Sequence, residues 1–143
     1  MTRTLEDSRR WMQRGAELVA LALTEFTESD FSEDSALPGW TRKHLVAHLA
    51  ANSDAIGNLV HWAATGERTA MYDSPDARAA GIEIGSRKSD RELTSWFLDS
   101  AAALDCAISA LTPEQWANEV VTAQGRTVPA SETPWMRSRE VMV

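Results

Sequence analysis

From Thr41 to Thr65 the chain runs twenty-five residues without a proline, between Pro38-Gly39 on one side and Gly66 on the other. Thr41 can cap the free N–H groups of a helix, Pro38-Gly39 stops a helix entering from the left, and Gly66 suits a C-terminal end. The stretch is therefore one long helix, and the rest of the chain repeats its period. Residues 5–27 carry Trp11, Leu18, Leu21, Ala22 and Phe26 at three- and four-residue steps, followed by a polar acidic loop over residues 28–36. Residues 66–88 are the least regular, with a short helix expected near Pro75-Asp76-Ala77-Arg78 under a Ser74 cap. A third long helix opens at Ser89-Asp90 and places Leu93, Phe97, Leu104, Ile108 and Leu111 on one narrow face. Thr112-Pro113 starts a short helix to Trp116, residues 117–130 read as a hairpin around Gln124-Gly125, and Thr133-Pro134 opens the last helix. Four main helices with one irregular crossover make an all-α four-helix bundle the economical fold.

The 143 residues are expected to form one domain, and 43% hydrophobic content is globular. A net charge of −7 argues against nucleic acid or an anionic membrane as partner, while leaving room for a small anion held by local arginines. No apolar run reaches the roughly 20 residues of a membrane span, and the polar first residues show no secretory signal. The single cysteine, Cys106, rules out an intrachain disulfide and fits a cytoplasmic protein.

His44 and His48 stand one helical turn apart, a spacing that metal sites use. On the helical wheel Leu45, Leu49, Ile56, Val60 and Ala63 form the buried stripe. His48 lies at its edge beside Asn52, Leu59 and Thr41, with His44 turned about 40° further toward solvent and His61 opposite. His48 is there either a ligand held by packing or a half-buried histidine bonded to a carbonyl. Glu140, flanked by Arg137 and Arg139, either ligates with it or simply favours the helix dipole. Trp40, Trp62, Trp96 and Trp116 sit where bundle contacts are expected.

Three segments share one resemblance: residues 37–48, the loop containing Arg78, and Trp135-Met136-Arg137-Ser138-Arg139-Glu140-Val141-Met142-Val143. Together they resemble the mycothiol-dependent maleylpyruvate isomerases, over essentially the whole chain, which corresponds to that family's N-terminal metal-binding domain. The resemblance implies a DinB-like four-helix bundle spanning residues 1–143, with zinc ligands at His48 and Glu140. The family motif continues with a further ligand, a histidine four residues after the glutamate, and then a smaller C-terminal domain. Neither is in this sequence, so a fragment that binds zinc weakly is expected.

The implied activity is isomerisation of maleylpyruvate to fumarylpyruvate in gentisate-type aromatic catabolism, with zinc and mycothiol as cofactors. A thiolate adds to the conjugated carbon, the enolate rotates, and loss of sulfur restores the alkene. Cys106 has an acid beside it and no basic residue within a turn, so the sulfur is expected from a low-molecular-weight thiol. The dianionic substrate calls for guanidinium groups, Arg78 first, then Arg137 and Arg139. Another zinc-dependent mycothiol S-transferase, a non-catalytic interaction module and a plain helical scaffold are the alternatives.

Overall fold

The computed structural model describes residues 4–35 and 39–141. Ala36, Leu37 and Pro38, which were to end the acidic loop and form half of the turn, lie outside the described residues, as do Met142 and Val143. The elements are α1 (Leu5–Glu25), α2 (Glu28–Phe31), α3 (Arg42–Thr65), α4 (Pro75–Ser86), α5 (Asp90–Ser109), α6 (Pro113–Ala117), strands β1 (Glu119–Val121) and β2 (Thr127–Pro129), and α7 (Thr133–Val141). Helices α1, α7, α3 and α5 pack in a closed ring, each against the next, which is the four-helix bundle. Helix α4 lies outside it against α3, and the antiparallel hairpin pairs Val120 with Val128 below the C-terminal half of α3.

The helix starts follow the chemistry of their first residues. Thr4, Thr27, Ser89 and Thr112 each accept the N–H three residues on, while the side chain of that residue accepts the cap's own N–H. Ser74 caps α4 from its hydroxyl, with Pro75 in the first turn. Gly66 closes α3 in the left-handed conformation, φ 78°.

Two apolar clusters fill the bundle and meet on α3. Leu23, Phe31, Val46, Ala47, Leu93 and Phe97 make one; Met12, Ile56, Leu59, Leu104, Ile108 and Val120 are in the other. A fully buried Phe97 or Leu93 contributes about 2–3 kcal/mol by removal of its surface from water. Between the clusters runs a buried polar layer. Ser53 Oγ donates to the Ser100 carbonyl at 3.0 Å, and Arg137 donates to the Leu49 carbonyl at 2.6 Å and to Asn52 Oδ1 at 3.0 Å.

Several expectations are corrected. The acidic loop contains a helical turn, α2, because Thr27 and Asp30 form a capping box and Phe31 anchors it in the core. The short helix at Pro75 extends to Ser86, carried by Ile82, which buries against the bundle. Helix α3 is the central post rather than a one-faced helix, so Val46, Ala47, Ala50, Ser53 and Ala55 are buried beside the expected stripe. On α1 the buried positions are Ser8, Met12, Gly15 and Leu23, leaving Leu18 and Leu21 at 42% and 59% exposure. Thr133 does not cap; its hydroxyl donates to the Ala130 carbonyl at 2.7 Å across a 3-10 turn at Ala130–Glu132. The tryptophan expectation holds: Trp62, Trp96 and Trp116 pack half-buried against the two core clusters.

Candidate functional site

His48 is placed by the second turn of α3 and Glu140 by the last turn of α7, and the two side chains meet where these neighbouring helices pack. His48 Nε2 lies 2.9 Å from Glu140 Oε2, with the imidazole 11% exposed. On the other side of the ring Arg78 Nη2 sits 3.2 Å from His48 Nδ1. A guanidinium can only donate, so Nδ1 accepts and the ring proton stands on Nε2, toward the carboxylate. The bond from His48 holds the Glu140 carboxyl below the usual glutamate range, against the opposing effect of burial, with Arg137 and Arg78 adding to the lowering.

Arg78 reaches His48 because α4 lies close on α3. A Cβ at Gly85 would stand 2.6 Å from Ala47 Cβ and 3.0 Å from Trp96 Cζ3, so only glycine fits at this crossing. Ala47 is the neighbour of His48, which ties the approach of the two helices to the site.

His44 does other work. Its Nδ1 accepts the Thr41 N–H at 3.1 Å, completing the capping box of α3, and its Nε2 faces Glu83 at 3.3 Å. The spacing of the two imidazoles therefore does not describe a shared metal site. Trp40 spans both, stacked on His44 at 6.3 Å and tilted against His48 at 5.7 Å. His61 stands apart, 4.0 Å from Glu67.

His48, Glu140 and Arg78 open onto one cavity of about 600 Å³. Arg139 lines it as well. Arg137 does not: it is buried in the polar layer, its guanidinium 5.7 Å from the Phe97 ring centre, and desolvation lowers it to about 10. Cys106 is exposed and distant in sequence from every lining residue.

The cavity adds residues that the sequence did not single out. Tyr72 hydrogen-bonds Arg78, and burial pushes its phenol up, so it stays a neutral donor at pH 7. Arg68, Asp73 and hairpin residues 121–124 also line it, together with Asn52 and Trp62, which the sequence already places beside His48 and at a bundle contact. A lone tyrosine inside an arginine-containing irregular segment was the one available signal for Tyr72.

A family model described as mycothiol maleylpyruvate isomerase N-terminal domain matches residues 12–143. The chain belongs to that family. Two solved structures, a mycothiol-dependent maleylpyruvate isomerase and a mutant of it with one histidine changed to alanine, are each 46% identical with a TM-score of 0.95. Each match covers 99% of this chain and 60% of the solved chain, so this chain spans about three-fifths of those relatives. No curated protein matches. The mostly helical, DinB-like bundle with its small antiparallel hairpin is shared with them.

Proposed function

We propose that the bundle over residues 1–143 is the metal-binding domain of a zinc- and mycothiol-dependent enzyme that converts maleylpyruvate to fumarylpyruvate. The observation that carries this reading is the convergence of His48, Glu140 and Arg78 from three helices on one cavity, in a member of this family. The reaction belongs to cytoplasmic breakdown of gentisate-type aromatics.

The donor set suits zinc in kind: an imidazole nitrogen and a carboxylate oxygen are both ligands that the ion takes, and His48 and Glu140 would hold it. The observed 2.9 Å is held by the proton on Nε2; zinc on Nε2 would require the ring proton on Nδ1 instead, and the Arg78 guanidinium would then turn from that nitrogen toward the substrate. Among the described residues no third His, Cys, Asp or Glu joins them. When bound, zinc lowers the pKa of the thiol and supplies thiolate at neutral pH.

The chain's own residues do the rest. Sulfur adds to one carbon of the cis double bond, and the electron pair moves onto the conjugated ketone oxygen. The former double bond, now single, turns, and expulsion of the thiolate restores the alkene as trans with the thiol regenerated. Arg78 pairs with a substrate carboxylate, and Tyr72 donates to the oxygen where charge develops. Arg139 adds a second positive group on the same wall.

The test is zinc content per chain after purification without added metal, beside His48→Ala, followed by isomerisation with mycothiol supplied. About one zinc per chain, lost in the variant, with the thiol unchanged after turnover, is the expected result. Thiol consumed in step with product would make the protein an S-transferase. Absence of zinc from both samples would remove the metal role from His48 and Glu140 in this chain.

A further inference from the structure

Asn52 stands one helical turn after His48 on α3 and lines the same cavity. Residues four apart leave a helix on one face, with about 6 Å of rise between them. Asn52 is 7% exposed, and the isomerisation steps above leave it without a part.

Arg137 tells the two ends of its amide apart. Arg137 Nη1 lies 3.0 Å from Asn52 Oδ1 and 2.6 Å from the Leu49 carbonyl. A guanidinium only donates, so the amide turned the other way would set N–H against N–H. Oδ1 therefore faces the buried polar layer. Arg137 has little freedom to let it go, being 1% exposed with its guanidinium 5.7 Å from the Phe97 ring centre. A buried cation thus dictates which way Asn52 is turned.

That leaves Nδ2. Among the described residues nothing accepts from it. Nor is it sealed in: among those residues only Arg9 Nε and Arg137 Nη2 are both closed off and unpartnered. The open space beside Asn52 is the cavity. A donor held in one orientation on such a wall gives its bond to whatever acceptor displaces the water there.

The substrate brings that acceptor. The conjugated ketone carbon is the middle one of seven, so it lies about 4 Å along the chain from whichever carboxyl carbon Arg78 takes. With that carboxylate seated beside His48, the ketone oxygen comes to the level of the next turn of α3, where Asn52 stands. A carbonyl oxygen has two lone pairs, and Tyr72 supplies a donor to one of them.

We propose that Asn52 donates from Nδ2 to the other, and that Arg137 is a positioning residue, holding the amide oxygen inward so that a donor faces the developing enolate. The proposal rests on the isomerase reading above. It makes a carbonyl in the middle of the chain part of what the site selects.

The experiment is calorimetric titration of this chain, without metal or thiol, with 4-oxoheptanedioate and with heptanedioate. These seven-carbon dianions differ only at the ketone, and neither has a double bond to which sulfur can add. Wild type binds the ketone about tenfold more tightly or better. Asn52→Asp keeps an oxygen on Arg137 and turns the donor into an acceptor. Its charge weakens both ligands, but their ratio cancels that effect and falls at least about fivefold. Asn52→Leu lowers the ratio similarly, the remainder belonging to Tyr72. Arg137→Gln, which can show the amide either a donor or an acceptor, lowers it by less. If Asn52→Leu or Arg137→Gln fails to fold, Asn52→Asp still decides the donor role. No binding by wild type, a wild-type ratio near one, or a ratio unchanged in Asn52→Asp overturns that role. A ratio unchanged in folded Arg137→Gln overturns the positioning role. Isomerisation by a wild type whose ratio is near one would remove Asn52 alone. A preference lost in Asn52→Asp, with no isomerisation when thiol is supplied, would keep the donor and remove the isomerase reading instead.

Discussion

His44 Nδ1 accepts the Thr41 N–H at 3.1 Å, in the position where a capping box ordinarily carries Glu or Gln. Four residues on, the same side chain at His48 is turned between a carboxylate and a guanidinium. The difference comes from position along the helix. The third residue of a helix has an unsatisfied N–H within reach, whereas the seventh has none and must look across to other elements. His44→Ala is accordingly expected to lower the unfolding free energy by about 1 kcal/mol in urea denaturation, with zinc content unchanged. His44→Gln, which can still accept the Thr41 N–H, recovers most of that loss. Loss of zinc in His44→Ala would instead assign it to the site.

Capping carboxylates give the helices a shared response to acid. Asp7, Asp30 and Glu92 are each held below their ordinary values of 3.8, 3.8 and 4.5, first by the backbone N–H of the cap residue. The unfolded chain therefore binds protons at a pH where the folded chain does not. Stability is full above the ordinary values and falls as pH drops through the depressed ones. Thermal melts from about pH 6 to pH 2 should show a steep loss below about pH 4.5. The triple variant Asp7→Asn, Asp30→Asn and Glu92→Gln should be less stable at pH 6 and flatter below it. At the crossing of α4 and α3, Gly85→Ala forces a Cβ to 2.6 Å from Ala47. Moving α4 outward is expected to cost about 1–3 kcal/mol. It also draws Arg78 off His48, visible as a changed Nδ1 resonance in NMR of the ring nitrogens.

Across the molecule, what was legible in the sequence was local. Caps at Thr41, Ser74, Ser89 and Thr112, the hairpin around Gln124-Gly125 and the buried face of α5 depend on neighbours within a few residues, and the structure has them. What depends on placement was not legible. Leu18 and Leu21 keep helical spacing yet are exposed, because α1 turns Met12 and Leu23 inward instead. Helix α3 is covered on nearly all sides, so no single stripe describes it. His48 and Glu140 were paired through likeness to a family, since nothing local joins residues so far apart. Tyr72 and Arg68 came into view only with the cavity.

The 92-residue separation between His48 and Glu140 has a consequence for assembly. A pocket whose two halves come from α3 and α7 does not exist in any partly folded state in which α7 is undocked. On the proposed zinc reading, an ion held by both would bind only the finished bundle and by mass action would deepen the native state as its concentration rises. The contact between His48 and Glu140 thus also works as a latch on the fold, closing only after the second and last helices of the bundle have found each other.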